Sequence, residues 1–165
     1  SIGRLEAQKN YLNLLDLLKN MPISSSLQIA GVGSQQVLLR DRAIELDLDV
    51  NLLGRIHHYD LPKFINQSNI YIQNSSFEGN PKSVLEAMSS GAIVLCRDSP
   101  GMNKLVIDRQ NGFLYNSDNF NEVINNIVNS QSLSSVTKHA REYIIKKCSF
   151  SNYIYQLNTI LKKYY

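Results

Sequence analysis

Two glutamates with seven residues between them, Glu78 and Glu86, stand in the stretch of this chain best suited to chemistry, residues 77–91. Asn80 is placed to cap a helix, and Pro81 suits the first helical position, where its missing N–H costs nothing. Val84, Leu85 and Met88 then make an apolar stripe at helical spacing, and Gly91 fits the left-handed residue that ends a helix. Glu78 therefore precedes the helix and Glu86 lies inside it. A helix N-terminus attracts phosphate or another anion. Each carboxylate can accept two hydroxyl hydrogen bonds. Together they suit a ligand carrying both phosphates and hydroxyls, of the nucleotide-sugar kind. The plainer readings are a solvated loop acid for Glu78 and an i, i+4 pair with Lys82 for Glu86.

The cations for such a ligand stand at the start of the chain. Gly3 permits a tight strand exit, Arg4 follows in a loop, and Lys9 reads as the first turn of a helix. Lys9 opposes the helix dipole there, and an anion shared with Arg4 would reverse that. Gly31-Val32-Gly33 reads as a tight turn beside a phosphate. The third glycine of a dinucleotide fingerprint is missing, since position 36 is Gln36. His57 and His58 lie in a strand-edge loop without a third partner at metal-ligand spacing and read as polar loop residues.

The elements that must position these residues alternate. Apolar periodicity predicts a helix over 8–20, a strand over 27–31, a helix over 35–46 and a strand over 50–54. Ser34 is its expected cap, and Val37, Leu38, Ala43 and Leu46 its expected core face. A helix opening at Asp60-Leu61-Pro62 and strands over 70–73 and 93–96 follow. Two short strands, 105–107 and 112–115, flank a turn at 109–112. Helices over 119–128, 134–147 and 151–164 finish the chain. Buried strands joined by helical crossovers imply an α/β fold, a Rossmann-like three-layer α/β/α sandwich with a mostly parallel sheet. Such sheets bind ligands at the carboxyl ends of their strands, where every loop named above lies.

Bulk composition agrees with one globular domain. The chain has 165 residues, 43% hydrophobic and 19% charged, and a net charge of +3. That charge suits an anionic small molecule or a loose membrane-surface contact; the pairs Lys146-Lys147 and Lys162-Lys163 are too slight for nucleic acid. Cys96, in an apolar run, reads as a buried core residue. With Cys148 as its only companion, no disulfide framework or metal cluster is expected, and a reducing, cytoplasmic setting is the default. Ser1-Ile2-Gly3-Arg4 reads as the tail of a strand, so the chain is expected to be a piece of a longer protein.

These residues resemble a known family. Gly3-Arg4 with Lys9, Gly31-Val32-Gly33, Gly54, the run 74–81, Glu86-Ala87-Met88, Gly91 and Asn111-Gly112 are together similar to the C-terminal, donor-binding domain of GT-B glycosyltransferases of the retaining family 4 type (group 1). The glutamates resemble that family's E-x7-E signature. The resemblance implies that residues 1–165 are one nucleotide-sugar-binding domain whose N-terminal acceptor domain is absent. It implies a hexose transferred with retention from a UDP- or GDP-linked donor, without cofactor or metal, in cell-surface polysaccharide or glycolipid synthesis at or near the inner face of the membrane. Arg4 and Lys9 would hold the diphosphate, with Gly3 and Gly33 beside it, and Glu78 would contact sugar hydroxyls. Backbone N–H groups of the run Gly79, Asn80, Pro81, Lys82, Ser83 and Val84 would touch sugar and phosphate. Glu86 would accept the ribose diol, and Arg55 and Ile56 would lie against the base. One departure is Lys104, where the family often has an acid. The alternatives are a GT-B-shaped epimerase or phosphorylase, and a non-catalytic nucleotide-binding module.

Overall fold

The computed structural model describes residues 1–21 and 25–148. The sequence-predicted helix over 151–164 lies outside them. All strand pairing between named strands is parallel. β1 (Ser26–Ala30) pairs with β2 (Asp49–Gly54), and β3 (Ile70–Gln73) pairs with β4 (Ile93–Arg97), which pairs in turn with β5 (Phe113–Tyr115). The opening residues run parallel to β1: the Ala30 N–H donates to the Ser1 carbonyl at 3.0 Å, and the Gly3 N–H donates to the Ala30 carbonyl at 2.9 Å. The crossovers are α1 (Tyr11–Lys19), α2 (Gln36–Glu45), α3 (Leu61–Asn66), α4 (Lys82–Ser89) and the one-turn α5 (Met102–Leu105). The final helices are α6 (Phe120–Val128) and α7 (Ser134–Cys148).

The two cores explain the layers. Side chains alternate across a strand. Ile72 and Leu95 join one cluster with Tyr11, Leu14 and Leu15 of α1 and Phe120 and Ile124 of α6. Tyr71, Val94 and Cys96 face the other way and join Val84, Ala87 and Met88 of α4 and Ala140 of α7. Helices therefore cover both faces of this sheet, as its near-continuous apolar strands require.

Three local expectations are corrected. First, α2 buries Leu39 and Ala43, whereas Val37 and Leu38 are 64% and 51% exposed. Its sequence has apolar residues on more than one face, so spacing alone could not choose. Ser34 is not its cap: its N–H and hydroxyl both donate to the Glu6 carboxylate, at 2.9 and 2.7 Å. Second, residues 105–107 form no strand; Leu105 ends α5 and Val106 is buried as a loop residue. Third, α4 begins at Lys82, one residue later than expected. Pro81, at φ −77° and ψ 73°, is the centre of an inverse γ-turn in which the Lys82 N–H donates to the Asn80 carbonyl at 2.9 Å. The Asn80 side chain makes no capping bond. The other end matches expectation. Gly91 has φ 78°, its N–H donates to Met88, and the Ala92 N–H donates to Ala87, the paired bonds of a Schellman motif.

Candidate functional site

Three glycines let loops at the carboxyl edge touch backbone to backbone. A Cβ on Gly31 would sit 1.8 Å from the Gly3 carbonyl oxygen, and one on Gly33 would sit 2.4 Å from that of Leu5. The Leu5 N–H donates to Val32 and the Gln35 N–H to Leu5, lacing the two loops together. Arg4 is thus held on a fixed backbone with an exposed side chain. Gly101, at φ 92°, does the same for the opposite wall: its Cβ would meet the Glu78 carbonyl oxygen at 1.8 Å. The Glu78 N–H donates to the Pro100 carbonyl at 2.9 Å.

Lys9 is not in the first turn of α1. It ends a 3-10 turn (Ala7–Lys9), and Asn10, in the left-handed region at φ 54°, separates that turn from the helix. The kink turns Lys9 toward Glu78, and its Nζ lies 2.6 Å from Glu78 Oε1. Both side chains are largely enclosed, at 14% and 9% exposure. Lys9 thus has a carboxylate as its partner, while the charged neighbour of Arg4 is Glu6. That neighbour and the two Ser34 donors hold the Glu6 carboxyl below its usual range, Ser34 contributing most.

Glu78 is no solvated loop acid. Ser75 Oγ donates to its Oε1 at 2.7 Å, Gln73 Nε2 donates to Ser75 Oγ at 2.8 Å, and the Tyr71 hydroxyl donates to Gln73 Oε1 at 3.1 Å. Tyr71, Gln73 and Ser75 alternate along β3 and its exit, so they share one face, and all three are buried. Burial pushes the Tyr71 phenol well above its ordinary value, against smaller opposing effects of its hydrogen bonds with Ser83 and with the Ile2 carbonyl, which accepts from it. Asn74, on the other face, donates to the Asn10 carbonyl at 2.7 Å and accepts from the Tyr115 hydroxyl at 2.7 Å. Tyr71, Gln73, Asn74, Ser75 and Gly101 were not singled out from sequence as site residues. The available signal was polar residues alternating through a strand otherwise expected to be buried.

Glu86 has a different setting. It is about one-third exposed and lies 3.9 Å from Nδ1 of His58, an ion pair only when that histidine is protonated. The plainer reading, an i, i+4 pair with Lys82, is not what the structure forms; instead His58, three residues on from exposed Arg55 and two from half-buried Ile56, approaches Glu86. Of the N–H groups over 79–84, those of Lys82 and Val84 already donate to Asn80 and Pro81. Among the described residues, the N–H groups of Gly79, Asn80 and Ser83 have no acceptor. A cleft of about 640 Å³ is lined by Glu78, Gly79, Asn80, Pro81, Gly101 and Lys104, among others. Another cavity, about 630 Å³, opens at the amino ends of the strands. Its lining, which includes Leu27, Ile70 and Ile93, has no charged residue and does not suit a charged ligand. Among the described residues no three His, Cys, Asp or Glu side chains are grouped to hold a metal ion, and no helix is long and apolar enough to cross a membrane.

The fold and site define a Rossmann-like α/β domain with a charged cleft at the carboxyl edge of its parallel strands. The chain belongs to the glycosyl transferases group 1 family, whose model matches residues 1–147. It is the C-terminal half of a GT-B fold. A protein of Haemophilus influenzae named as an uncharacterized glycosyltransferase is 35% identical over 131 residues, covering 75% of this chain and 36% of its own length. An Escherichia coli UDP-Gal:alpha-D-GlcNAc-diphosphoundecaprenol alpha-1,3-galactosyltransferase is 29% identical over 156 residues, covering 87% and 40%. Anabaena HepE, solved with UDP and glucose, superposes with a TM-score of 0.87 at 22% identity, covering 98% of this chain and 47% of HepE. The chain therefore spans less than half the length of each of these proteins.

Proposed function

We propose that this chain is the donor-binding half of a retaining hexosyltransferase that takes its sugar from a nucleoside diphosphate. The observation that carries the reading is the Lys9–Glu78 pair, fixed at 2.6 Å at the sheet edge, with Glu86 on the following helix turned to a separate loop. One acid beside a cation and one acid apart from it fit a ligand with a sugar near its phosphates and a ribose farther off. Lys9 has three N–H donors; one engaged by Glu78 leaves two for phosphate oxygens. Arg4, exposed on its laced loop, supplies the second positive charge for the departing diphosphate, with the unengaged N–H groups of Gly79, Asn80 and Ser83 beside it. Gly3 and Gly33 hold that loop in place. Glu78 accepts sugar hydroxyls, Glu86 accepts the ribose diol, and the Arg55-Ile56 loop lies along the base. The Escherichia coli relative is named for a UDP-linked donor and HepE holds UDP, which favours UDP over GDP.

In this reading the acceptor half of the cleft belongs to a further domain, and the full protein builds a cell-surface glycan or glycolipid at the cytoplasmic face of a membrane. Calorimetric titration of this chain with UDP, GDP and ADP tests the nucleotide reading. Binding of UDP is expected, and no heat from any of the three at millimolar concentration overturns it. Turnover of a nucleotide sugar by the full protein only when a hydroxyl acceptor is present separates transfer from epimerase or phosphorylase chemistry.

A further inference from the structure

We infer that Ser75 is a positioning residue for Glu78, with its proton directed by the Gln73 amide, and that this bond selects which carboxylate oxygen is offered to the sugar. The inference rests on the proposed role of Glu78 and extends it.

The argument is one of proton direction. The Tyr71 hydroxyl lies 3.1 Å from Gln73 Oε1 and 3.4 Å from the Ile2 carbonyl oxygen, and the shorter contact takes its single proton. With that oxygen engaged, the amide presents its Nε2–H to Ser75 Oγ, at 2.8 Å. A hydroxyl has one proton. Because Ser75 Oγ accepts from Gln73, its own proton is free to go to Glu78, and it does so at 2.7 Å. Every proton in the chain therefore points toward the carboxylate, an arrangement in which each bond polarises the next. Were the amide reversed, its oxygen would compete for the Ser75 proton and Glu78 would lose a donor.

The second observation is where the donors land. Lys9 Nζ and Ser75 Oγ both bind Oε1 of Glu78. Among the described residues Oε2 takes neither bond and no other, and it does not figure among the buried polar atoms without a partner. Two donors on one oxygen fix the plane of the carboxylate and leave the second oxygen as the acceptor for a ligand hydroxyl. Buried polar side chains on a strand are costly unless paired. Three in alternation, ending on an acid at the sheet edge, form a continuous path to the proposed site.

The test uses this chain. Wild type is titrated with UDP and with UDP-glucose, UDP-galactose and UDP-N-acetylglucosamine, and the sugar giving the largest gain over UDP is carried forward. Ser75→Ala is expected to reduce that gain about tenfold, the scale of one hydrogen bond to a charged group, while UDP affinity stays within about twofold. Gln73→Met, which removes the amide and keeps its bulk, is expected to reduce the same gain and tests the relay if Ser75→Ala fails to fold. Equal weakening of UDP and UDP-sugar, or no change in the gain, overturns the proposal, because a purely structural role would not separate the two ligands. Absence of UDP binding in wild type overturns the nucleotide reading. UDP binding without any sugar gain overturns the role of Glu78, and this proposal with it.

Discussion

Lys9 and Glu78 meet at 2.6 Å although 69 positions apart in the chain. This pair joins the segment before α1 to the loop after β3 and gives each charge its partner in the absence of ligand. Losing one member of an enclosed pair leaves the other uncompensated. Lys9→Met is therefore expected to destabilise the chain by about 2–3 kcal/mol. Glu78→Gln is expected to cost only about 1 kcal/mol, since a lysine can extend its head into water. Urea unfolding of both single variants and the double checks this; a double variant as costly as the sum of the singles shows that the pair is not coupled.

Gly101 and Gly91 both have positive φ, at 92° and 78°, but for different reasons. A Cβ on Gly91 meets nothing within 4 Å. Gly91→Ala is thus expected to cost about 1 kcal/mol, the left-handed penalty alone. Gly101→Ala adds a clash with the Glu78 backbone and is expected to cost about 3 kcal/mol or more. Thermal melts rank the two, and equal costs would refute close approach as the reason for Gly101.

Burial raises the Cys96 thiol and the Tyr11 phenol, each to about 12, from ordinary values of 9.0 and 10.0. The folded state holds protons here that the unfolded state releases in alkali. The stability these two groups contribute is therefore complete below pH 9 and falls as pH rises from there toward 12. The slope is about 1.4 kcal/mol per pH unit for each group in its window. Melting temperatures across pH 7–11 should show a plateau, then a decline that begins later in Cys96→Ala. A decline setting in below pH 8 would contradict this.

Tyr115 donates to Asn74 Oδ1 at 2.7 Å and meets the Phe120 ring edge-on, at 4.9 Å between centroids. Tyr115→Phe keeps the ring contact and leaves the Asn74 oxygen without its donor, for an expected loss of about 1–3 kcal/mol in denaturant unfolding. A neutral result would mean that another donor replaces the hydroxyl.

Much of the fold was legible because its strands are short apolar runs between turn residues. β3 falls on the predicted limits, and α4 within one residue of them at its start and at its glycine stop. The two acids, the opening cation loop and the glycines were legible as a group by spacing and type. The outward face of α2 was not, because Val37, Leu38, Leu39 and Ile44 offer competing apolar stripes. Leu39 is chosen only by the core it joins, where α2 packs against α1 and β2.

The sequence by itself determined which segments become strands and helices, and that two acids flank a helix start at the edge of a parallel sheet. Periodicity and turn chemistry are local, so they survive without coordinates. Tertiary structure alone decided that Lys9 faces Glu78, that Glu86 faces His58, and that Gly31, Gly33 and Gly101 are backbone contacts. It also decided that Tyr71, Gln73 and Ser75 point their protons at one carboxylate. Those relationships join residues far apart in the chain, and a hydrogen bond depends on distance and direction that no local pattern encodes.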